Sequence, residues 1–375
     1  MELTKVEISK TALVTNIQSF RNILPKHTLF ASVIKSNAYG HGLETIAELS
    51  IKAGADILAV NYLEEGIKIH GLFPEASIMI MGEIPNLEKY IKYLNSSFHI
   101  VVSRKDEVQL LNRFSQRPQI HLKVDSGMGR LGYSGKTLYK MLDELKSDNL
   151  PINWLMTHFA STEDFTEHSY SMQQLTTFQQ YNEYAKKIGY NNLKLHAASS
   201  ASTMLFPEAK LDMVRVGISL YGLWPSIQTR LSLSLMGNTT FHLQPVLTWK
   251  TGIVHIQDLN TGSYIGYGST YKTNYPTKTA VIPVGYYEGL DRRLSNQGYV
   301  LVRGERAPIL GRVCMNMTII DVTHIQNPKI GEEVVLIGKS GNEIISADDM
   351  ASMIGTINYD VVTRINPNIP RIVVE

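Results

Sequence analysis

The stretch Ala31-Ser-Val-Ile-Lys35-Ser-Asn-Ala-Tyr39-Gly40-His41-Gly42 is the part of the chain from which the fold and the site can first be interpreted. Its apolar run, residues 29–34, predicts a buried strand, and a turn of small, polar and glycine residues follows. Burial at a strand end disfavours the ammonium form of Lys35 and leaves a better nucleophile, as a Schiff-base lysine requires. A strand-end lysine that reaches solvent is the commoner arrangement. The stretch alone leaves both interpretations open.

The segment Val33-Ile-Lys35-Ser-Asn-Ala-Tyr39-Gly-His-Gly resembles the signature of the alanine racemase family. In that family the lysine that matches Lys35 carries pyridoxal 5′-phosphate (PLP), and Tyr39 matches a tyrosine at the cofactor. The resemblance implies a PLP-dependent isomerase that interconverts L-alanine and D-alanine and supplies D-alanine for peptidoglycan. It also implies a cytoplasmic homodimer.

The composition describes an ordinary globular protein and excludes several other classes. The chain has 375 residues, enough for about two domains, of which 43% are hydrophobic and 19% charged. A formal net charge of +2 gives no reason to expect a nucleic-acid or membrane partner. Cys314 is the single cysteine, so no intrachain disulfide forms and a reducing compartment is expected. The sequence begins without a signal-peptide core, and no apolar run reaches the ~18 residues of a membrane span.

The first part of the chain alternates between apolar runs and amphipathic stretches of helical period. This alternation predicts a (β/α)8 TIM-type barrel, which we assign to residues 9–236. The expected strands are residues 29–34, 56–60, 77–81, 98–102, 119–124, 152–157, 193–196 and 213–218, and the clearest helices are residues 11–23, 44–53, 87–94, 105–114, 136–145 and 173–188.

Residues 237–375 change to short alternating runs divided by glycine-rich turns, which predict a mainly β domain. Residues 5–8 also alternate, and the N-terminal strand within residues 1–8 is expected to join this domain. Ser346, followed by Asp348 and Asp349, predicts the start of a helix over residues 346–354. The expected strands of this domain are residues 246–256, 279–284, 299–302, 309–313, 317–322, 333–337 and 371–374.

Five polar residues stand at or near the ends of the predicted barrel strands. For each one alone, a capping aspartate, a packed histidine or a strand-end cation is an adequate explanation. Barrel enzymes build their active sites at the C-terminal strand ends, so five together favour one shared pocket. The five residues are Lys35, Asp125, His158, His196 and Arg215.

The segment Lys123-Val-Asp125-Ser-Gly-Met-Gly-Arg130-Leu-Gly predicts a strand that leads into a glycine-rich turn and presents an arginine. The guanidinium fork of Arg130 suits a substrate carboxylate, and a solvated arginine fits the turn equally well. In the family the matching arginine lies beside the cofactor and the substrate carboxylate. The lysine that matches Lys123 is often carbamylated there, which implies a fixed anionic partner for Arg130.

Strands six to eight of the predicted barrel carry further candidate residues. The histidine that matches His158 packs by the cofactor ring, and Glu163 replaces a usual aspartate, which implies an altered access channel. Phosphate sites in barrels often follow strands seven and eight, where a hydroxyl at a helix start suits an anion. Ser200, Gly217 and Ile218 stand there, although a capping serine and a packing glycine are common features.

The resemblance places Arg215 against the pyridine nitrogen of the cofactor, where many PLP enzymes have an aspartate. Because arginine stays charged and accepts no hydrogen bond, the nitrogen is expected to remain unprotonated. A less electron-poor ring stores a carbanion less well, which disfavours side reactions such as transamination. His196 is expected to hydrogen-bond behind Arg215.

The segment Ile265-Gly-Tyr267-Gly268-Ser-Thr-Tyr271 places a tyrosine between two glycines. Alone it predicts a hairpin turn, and in the family it matches a catalytic tyrosine that the other subunit supplies. Tyr286 matches the access channel, Met315 a loop whose amide meets the substrate carboxylate, and Tyr359 a tyrosine near the phosphate. Asn316 stands where the family usually has an aspartate, which puts the substrate preference in question.

Racemisation takes a proton from one face of Cα and returns one to the other face, so two bases are expected. The resemblance assigns the proton of D-alanine to Lys35 and the proton of L-alanine to Tyr267 of the partner subunit. A free tyrosine titrates near ~10 and needs neighbouring positive charge or donors to act as a base. The candidates for that network are His158, Arg215 and Arg312.

Two other interpretations involve PLP without alanine racemisation. A decarboxylase of the same architecture would use a cysteine–aspartate pair in the β domain, and this chain has Cys314-Met315 instead. A PLP-binding homeostasis protein would resemble the barrel alone, so the β domain argues against it. A racemase of serine or another small amino acid stays an alternative. No metal is expected.

Overall fold

Eight parallel strands close into a barrel in the computed structural model, which describes residues 3–114, 116–162, 169–237 and 241–375. Each strand pairs with the next one in sequence, and the eighth pairs with the first, with Leu29 opposite Met213. The predicted barrel is confirmed, and every predicted run contains one strand. Barrel strands one to eight are Leu29–Val33, Ile57–Val60, Ser77–Ile80, Phe98–Val102, Gln119–Lys123, Trp154–Met156, Lys194–His196 and Met213–Val216.

The barrel interior holds polar groups as well as aliphatic ones. Strand two is buried at every position, as expected for a parallel sheet covered on both faces. Buried polar side chains are unfavourable unless they are hydrogen-bonded, so a set of them in one barrel indicates a function. The set on strands four, five, seven and eight is His99, His121, Lys123, His196 and Arg215.

Helices alternate with the barrel strands, and the six predicted ones are present with shifted ends. Leu63–Leu72 was not predicted, because its glycines lower helix propensity. Gly66 allows this helix to pack closely on strand three, since a Cβ there would lie 2.4 Å from Ile80 Cδ1. None of the helices in the described ranges is long and apolar enough to cross a bilayer. The helices are Lys10–Asn22, Leu43–Lys52, Leu63–Leu72, Leu87–Tyr90, Lys105–Leu111, Gly135–Ser147, Ser169–Lys187, Ser200–Leu205 and Ile227–Leu235, with 3-10 turns at Ile91–Tyr93, Pro207–Ala209 and Ile218–Tyr221.

The chain divides into two units. Leu13–Ser36 and Ile46–Gln244 form the barrel unit, and Met1–Ala12, Asn37–Thr45 and Pro245–Glu375 form the mainly β unit. The main sheet of the β unit has seven strands, and in it Lys5–Ser9 pairs with Leu247–Gly252 and Arg371–Val374. The remaining strands of the unit are His255–Leu259, Tyr264–Ile265, Tyr271–Lys272, Thr277–Ile282, Tyr299–Val302, Glu305–Pro308, Thr318–Asp321, Glu333–Ser340 and Glu343–Ile345, and its helices are Ala347–Ile354 and Asn358–Thr363, with 3-10 turns at Tyr267–Ser269 and Arg292–Leu294.

Two strand predictions in the β unit were wrong. The run 246–256 is two strands in different sheets, because Ile253 N donates to Glu332 O while Val254 N donates to Val281 O. The run 309–313 is not a strand, because Gly311 has a left-handed φ of 73° that ends the extended backbone. The helix predicted at residues 346–354 is present, and the Ser346 hydroxyl caps it by accepting from Asp349 N.

Candidate active site

Lys35 follows barrel strand one and begins a left-handed turn, Lys35–Tyr39. Left-handed backbone costs about 1–2 kcal/mol for a residue with a Cβ, and asparagine tolerates it well. Asn37 also accepts a 2.9 Å hydrogen bond from Leu43 N, and Ser36 N donates to Glu65 Oε1 at 2.8 Å. Such enforced strain is typical of functional sites. Four consecutive non-glycine residues have positive φ: Ser36 at 56°, Asn37 at 55°, Ala38 at 52° and Tyr39 at 53°.

The Lys35 amine is only partly exposed and lies near two arginines. Burial lowers the pKa of Lys35, and the charges of Arg130 and Arg215 lower it further, while Glu65 acts in the opposite direction. A lower pKa leaves more of the amine neutral and nucleophilic near neutral pH. This environment favours the reactive interpretation of Lys35 over the solvated one.

Lys123, at the end of barrel strand five, is 7% exposed. Burial lowers the pKa of Lys123 to about 7, and Arg215 and Arg130 contribute, whereas Asp125 acts to raise it. The Asp125 carboxylate is engaged elsewhere, since it accepts three hydrogen bonds of 2.7–2.9 Å from the backbone N–H groups of Gly127, Met128 and Gly129. The glycine-rich turn therefore closes around Asp125, and a substantial part of the Lys123 amine is neutral near pH 7.

Arg215, on barrel strand eight, is 4% exposed and has neutral partners. It donates to Thr157 O and Ala197 O, both at 3.0 Å, to His196 Nδ1 at 2.6 Å and to His158 Nδ1 at 3.3 Å. Burial lowers the pKa of Arg215 to about 9, so it stays charged near neutral pH. Burial, and next Arg215, lower the pKa of His158 to about 2, so His158 is a neutral acceptor.

The ends of barrel strands seven and eight are joined by a serine. Ser200 Oγ accepts a 2.9 Å hydrogen bond from Gly217 N, and Ile218 opens the following 3-10 turn. Ser219, in that turn, is fully buried, and its hydroxyl has no partner among the described residues. A buried hydroxyl of this kind is unfavourable unless a ligand or water satisfies it. Ser219 was not predicted from the sequence.

We define the cation cluster as Lys35, Lys123, Arg130 and Arg215. Within the described residues, Glu65 acts to raise the pKa of Lys35 and Asp125 acts to raise that of Lys123, and both carboxylates accept hydrogen bonds from backbone N–H groups. Bound phosphate and carboxylate groups would balance the excess positive charge. An amine, two guanidinium groups and nearby hydroxyls are the donor set that PLP and an amino acid require, so the residues fit this cofactor.

Tyr39 and Tyr359 lie together in the β unit, with ring centroids 6.2 Å apart. Gly40 fixes the Tyr39 segment, because a Cβ there would lie 2.0 Å from Val362 O, and Arg371 Nη2 donates to Gly40 O at 2.8 Å. Burial raises the pKa of Tyr39 to about 12. The Tyr39 hydroxyl therefore keeps its proton and is suited to donate to a phosphate oxygen.

Tyr267 is 71% exposed and is flanked by glycines with left-handed φ, 73° at Gly266 and 72° at Gly268. A Cβ on Gly268 would lie 3.1 Å from Arg312 Nη1. The guanidinium of Arg312 therefore lies directly against the backbone that presents Tyr267. This chain leaves the tyrosine hydroxyl open to another molecule.

Backbone and side-chain hydrogen bonds join the loop at residues 314–316 to the segment at residues 286–288. Tyr286 N donates to Cys314 O at 3.0 Å, and the Met315 side chain is exposed. Asn316 Nδ2 donates to Glu288 Oε1 at 2.8 Å, an arrangement in which a carboxylate at position 316 would repel Glu288. The prediction about Glu163 concerns a position outside the described residues.

Comparisons with known proteins identify the family. The alanine racemase N-terminal domain family matches residues 8–225, and the alanine racemase C-terminal domain family matches residues 246–373. The chain belongs to the alanine racemase family. Among its relatives, an alanine racemase of Leptospira interrogans is 53% identical over 371 residues, which are 99% of this chain and 95% of that protein. An alanine racemase of Halothermothrix orenii is 40% identical over 375 residues, covering 98% and 96%.

Solved structures give the same result. The crystal structure of alanine racemase from Bacillus anthracis with bound L-Ala-P has a TM-score of 0.90 at 33% identity, covering 100% of this chain and 96% of that one. Alanine racemase from Bartonella henselae with covalently bound pyridoxal phosphate has a TM-score of 0.86 at 25% identity, covering 100% of both chains. The predicted family, fold class, PLP cofactor and alanine racemase activity are confirmed. The roles of individual residues stay predictions.

Sequence reasoning missed several residues near the candidate site. Glu65 lies in the helix that was not predicted, and Ser219 looked like an ordinary turn residue. His121 carried a usable signal, because it precedes Lys123 by two positions and therefore shares its face of strand five. The left-handed turn had no signal beyond Asn37 and the glycines that follow it.

Proposed function

We propose that this racemase interconverts L-alanine and D-alanine with two bases, Lys35 and Tyr267 of the partner subunit. The observation that supports this most is the half-buried Lys35 amine, whose pKa is lowered by burial and by Arg130. An amine in that setting can bind a carbonyl carbon covalently, and once released it can take or give a proton.

The residues that the sequence predicted for the cofactor would hold PLP. Lys35 would bind its carbonyl carbon, Arg215 would donate toward its pyridine nitrogen and His158 would pack by its ring. When bound, PLP takes up the electron pair that remains at Cα after a proton leaves. Arg215 only donates hydrogen bonds, and its bonds to Thr157 O and Ala197 O fix its orientation. The residues proposed for the phosphate are Tyr39, Ser200, Gly217, Ile218 and Tyr359.

The two bases act on opposite faces of the substrate. Lys35 takes the Cα proton of D-alanine, and Tyr267 of the partner subunit takes that of L-alanine. Within one chain the Tyr267 side chain is exposed, as suits a residue that completes a neighbour's site. Arg312, which lies against Gly268, puts positive charge near the phenolate that forms when the tyrosine gives up its proton. Tyr286 is proposed to line the access channel.

Arg130 and the Met315 backbone amide are proposed to bind the substrate carboxylate. Arg130 is oriented by a carbamate on Lys123, which forms when the neutral amine adds CO₂ and releases one proton. The pKa of about 7 at Lys123 supports this step, because about half of the amine is then neutral near pH 7. A carbamate places a negative charge beside the cation cluster, where an anion is favoured.

Alanine is the proposed substrate, and serine is the second candidate. Asn316 supports serine as the second candidate, because the family usually has an aspartate at this position. The neutral Asn316 amide donates to Glu288 instead. We also propose that the protein is a cytoplasmic homodimer that supplies D-alanine for peptidoglycan. The single cysteine is compatible with a reducing compartment.

Incubation of the purified, PLP-loaded protein with L-alanine in D₂O tests the proposed reaction. We expect D-alanine with deuterium at Cα, and little activity from Lys35→Ala measured in parallel. Formation of ethylamine would indicate a decarboxylase, and unchanged L-alanine would contradict turnover. A panel that includes L-serine decides between the two candidate substrates.

A further inference from the structure

A row of hydrogen-bonded rings crosses the inside of the barrel from strand eight to strand four. Arg215 Nη1 lies 2.6 Å from His196 Nδ1, and His196 Nε2 lies 2.8 Å from His121 Nδ1. His121 Nε2 lies 2.9 Å from His99 Nδ1. We call His196, His121 and His99 the histidine row. It extends the contact behind Arg215 by two residues that the proposed function does not use.

The arginine at one end sets the direction of every bond in the row. A guanidinium can only donate, so His196 Nδ1 accepts, and the neutral ring then carries its proton on Nε2. His196 Nε2 therefore donates to His121 Nδ1, and by the same rule His121 Nε2 donates to His99 Nδ1. All three rings are Nε2–H tautomers whose acceptor nitrogens face the Arg215 end.

The histidine row is neutral near pH 7. Burial, with positive neighbours, lowers the pKa of His196 and His121 well below the usual value, and burial lowers the pKa of His99 to about 4. The charged groups that act on the row from its own and adjoining strands are the cations Arg215, Lys123 and Lys194. No carboxylate of the described part of the chain acts on it, and burial has the largest effect at each of the three rings, so we expect the row to stay neutral whether Lys123 is an amine or a carbamate.

The His121 ring is held in place by packing as well as by hydrogen bonds. Trp154 of strand six stacks on it, with centroids 5.0 Å apart and an interplanar angle of 5°. Each neutral ring has the negative end of its dipole toward Arg215, and bonds in series strengthen one another inside a protein. Arg215 is buried among neutral acceptors, so this aligned row supplies stabilisation that a carboxylate would otherwise provide.

We propose that His121 and His99 are positioning residues for the racemase reaction, because through His196 they keep the Arg215 guanidinium charged and fixed in orientation toward the cofactor ring. This inference rests on the proposed placement of Arg215 at that ring. The tautomers themselves follow from the hydrogen bonds alone, so they can be tested independently of the reaction.

The experiment uses holoenzyme labelled with ¹⁵N in its histidine rings and compares wild type, His121→Gln and His121→Phe. Glutamine can accept from His196 Nε2–H through its carbonyl and donate to His99 through its amide. Phenylalanine keeps a ring against Trp154 and removes both bonds. We expect ¹⁵N shifts of an Nε2–H tautomer for His196 in all three proteins, because the bond from Arg215 fixes it, and in His121→Phe alone the shift change of an Nε2–H group that has lost its acceptor. The bond from His196 to His121 supports the charged Arg215, so its loss in His121→Phe should lower kcat about 10-fold to 100-fold. In His121→Gln, kcat should stay within about threefold of the wild-type value.

Several results would overturn the proposal. A wild-type His196 or His121 that is doubly protonated, or protonated on Nδ1, contradicts the direction of the row, and this spectrum decides even if His121→Phe does not fold. A loss of kcat in His121→Gln that equals or exceeds the loss in His121→Phe would show that the hydrogen bonds at position 121 do not support the reaction, and a smaller loss in His121→Phe would indicate a packing role alone. If the tautomers are as expected and the wild-type protein has no racemase activity, the proposed function fails while the row stands.

Discussion

The burial of Lys123 predicts how the free energy of unfolding changes with pH, and the size of this change follows from its pKa. The fall of its pKa from an ordinary 10.5 to about 7 corresponds to about 5 kcal/mol, at about 1.4 kcal/mol per pKa unit. Between these two pH values the unfolded chain holds a proton on this amine that the folded chain has released. Stability of the unmodified protein therefore rises with pH across this window, and near pH 7 the free lysine lowers it by roughly 4–5 kcal/mol.

The perturbation is Lys123→Met, which keeps a straight apolar chain and removes the amine. In CO₂-free buffer near pH 7 we expect the free energy of unfolding of this variant in urea to exceed that of wild type by several kcal/mol. This stability difference should decrease toward pH 10. In bicarbonate the carbamate forms on wild type and pairs with Arg130, so the stability difference between the two proteins should be smaller. The activity of wild type should rise with bicarbonate, while that of Lys123→Met stays low.

The assays are urea unfolding in both buffers, L-alanine racemisation, and ¹³C NMR with labelled bicarbonate to detect the carbamate. Lys123→Ala with added acetate is the matched rescue, because acetate can occupy the place of the carbamate beside Arg130. Absence of a carbamate signal, or wild-type activity in Lys123→Met, would refute the role of Lys123. Equal stability of both proteins in CO₂-free buffer at every pH would refute the burial argument.

Three further predictions concern other parts of the site. Lys35→Ala should lose the visible absorption of lysine-linked PLP, and a cofactor that borohydride still fixes to this variant would contradict the assignment. Gly268→Ala should lower the stability by about 1–2 kcal/mol and remove most of the activity, because Gly268 has a φ of 72° and its Cβ would lie 3.1 Å from Arg312. Gly262→Ala is the control, since Gly262 has a φ of 86° and its Cβ would lie 3.7 Å from its nearest neighbour, so stability should fall while activity is retained. Asn316→Asp should raise the KM for alanine severalfold through repulsion from Glu288, and Asn316→Ser, which adds no charge, should not.

The barrel could be predicted because its strands are buried on both faces and therefore read as continuous apolar runs. Strand two, Ile57–Val60, is an example in which every residue is buried. The helix Leu63–Leu72 was not predicted because it contains Gly66, a residue of low helix propensity. Glycine is required there because the helix packs closely against Ile80. Where tertiary packing determines the residue type, local propensity misleads.

The site was predictable where a single strand end carries a chemical group, as at Lys35 and Arg215. It was not predictable where several strands contribute, as in the histidine row, because the partners are separated by 22 and 75 positions in sequence. The left-handed backbone of Ser36 to Tyr39 was equally hidden, since the conformation is enforced by bonds such as that from Ser36 N to Glu65.

The most direct test of the two-base account is to mix inactive Lys35→Ala and Tyr267→Ala subunits. If Lys35 and Tyr267 of the partner subunit share one site, each mixed dimer holds one site with both defects and one intact site. Random reassociation should then return about a quarter of wild-type activity. Wild type taken through the same dissociation serves as the control. If that control recovers and the mixture stays as inactive as its parents, the two residues do not act on the same substrate.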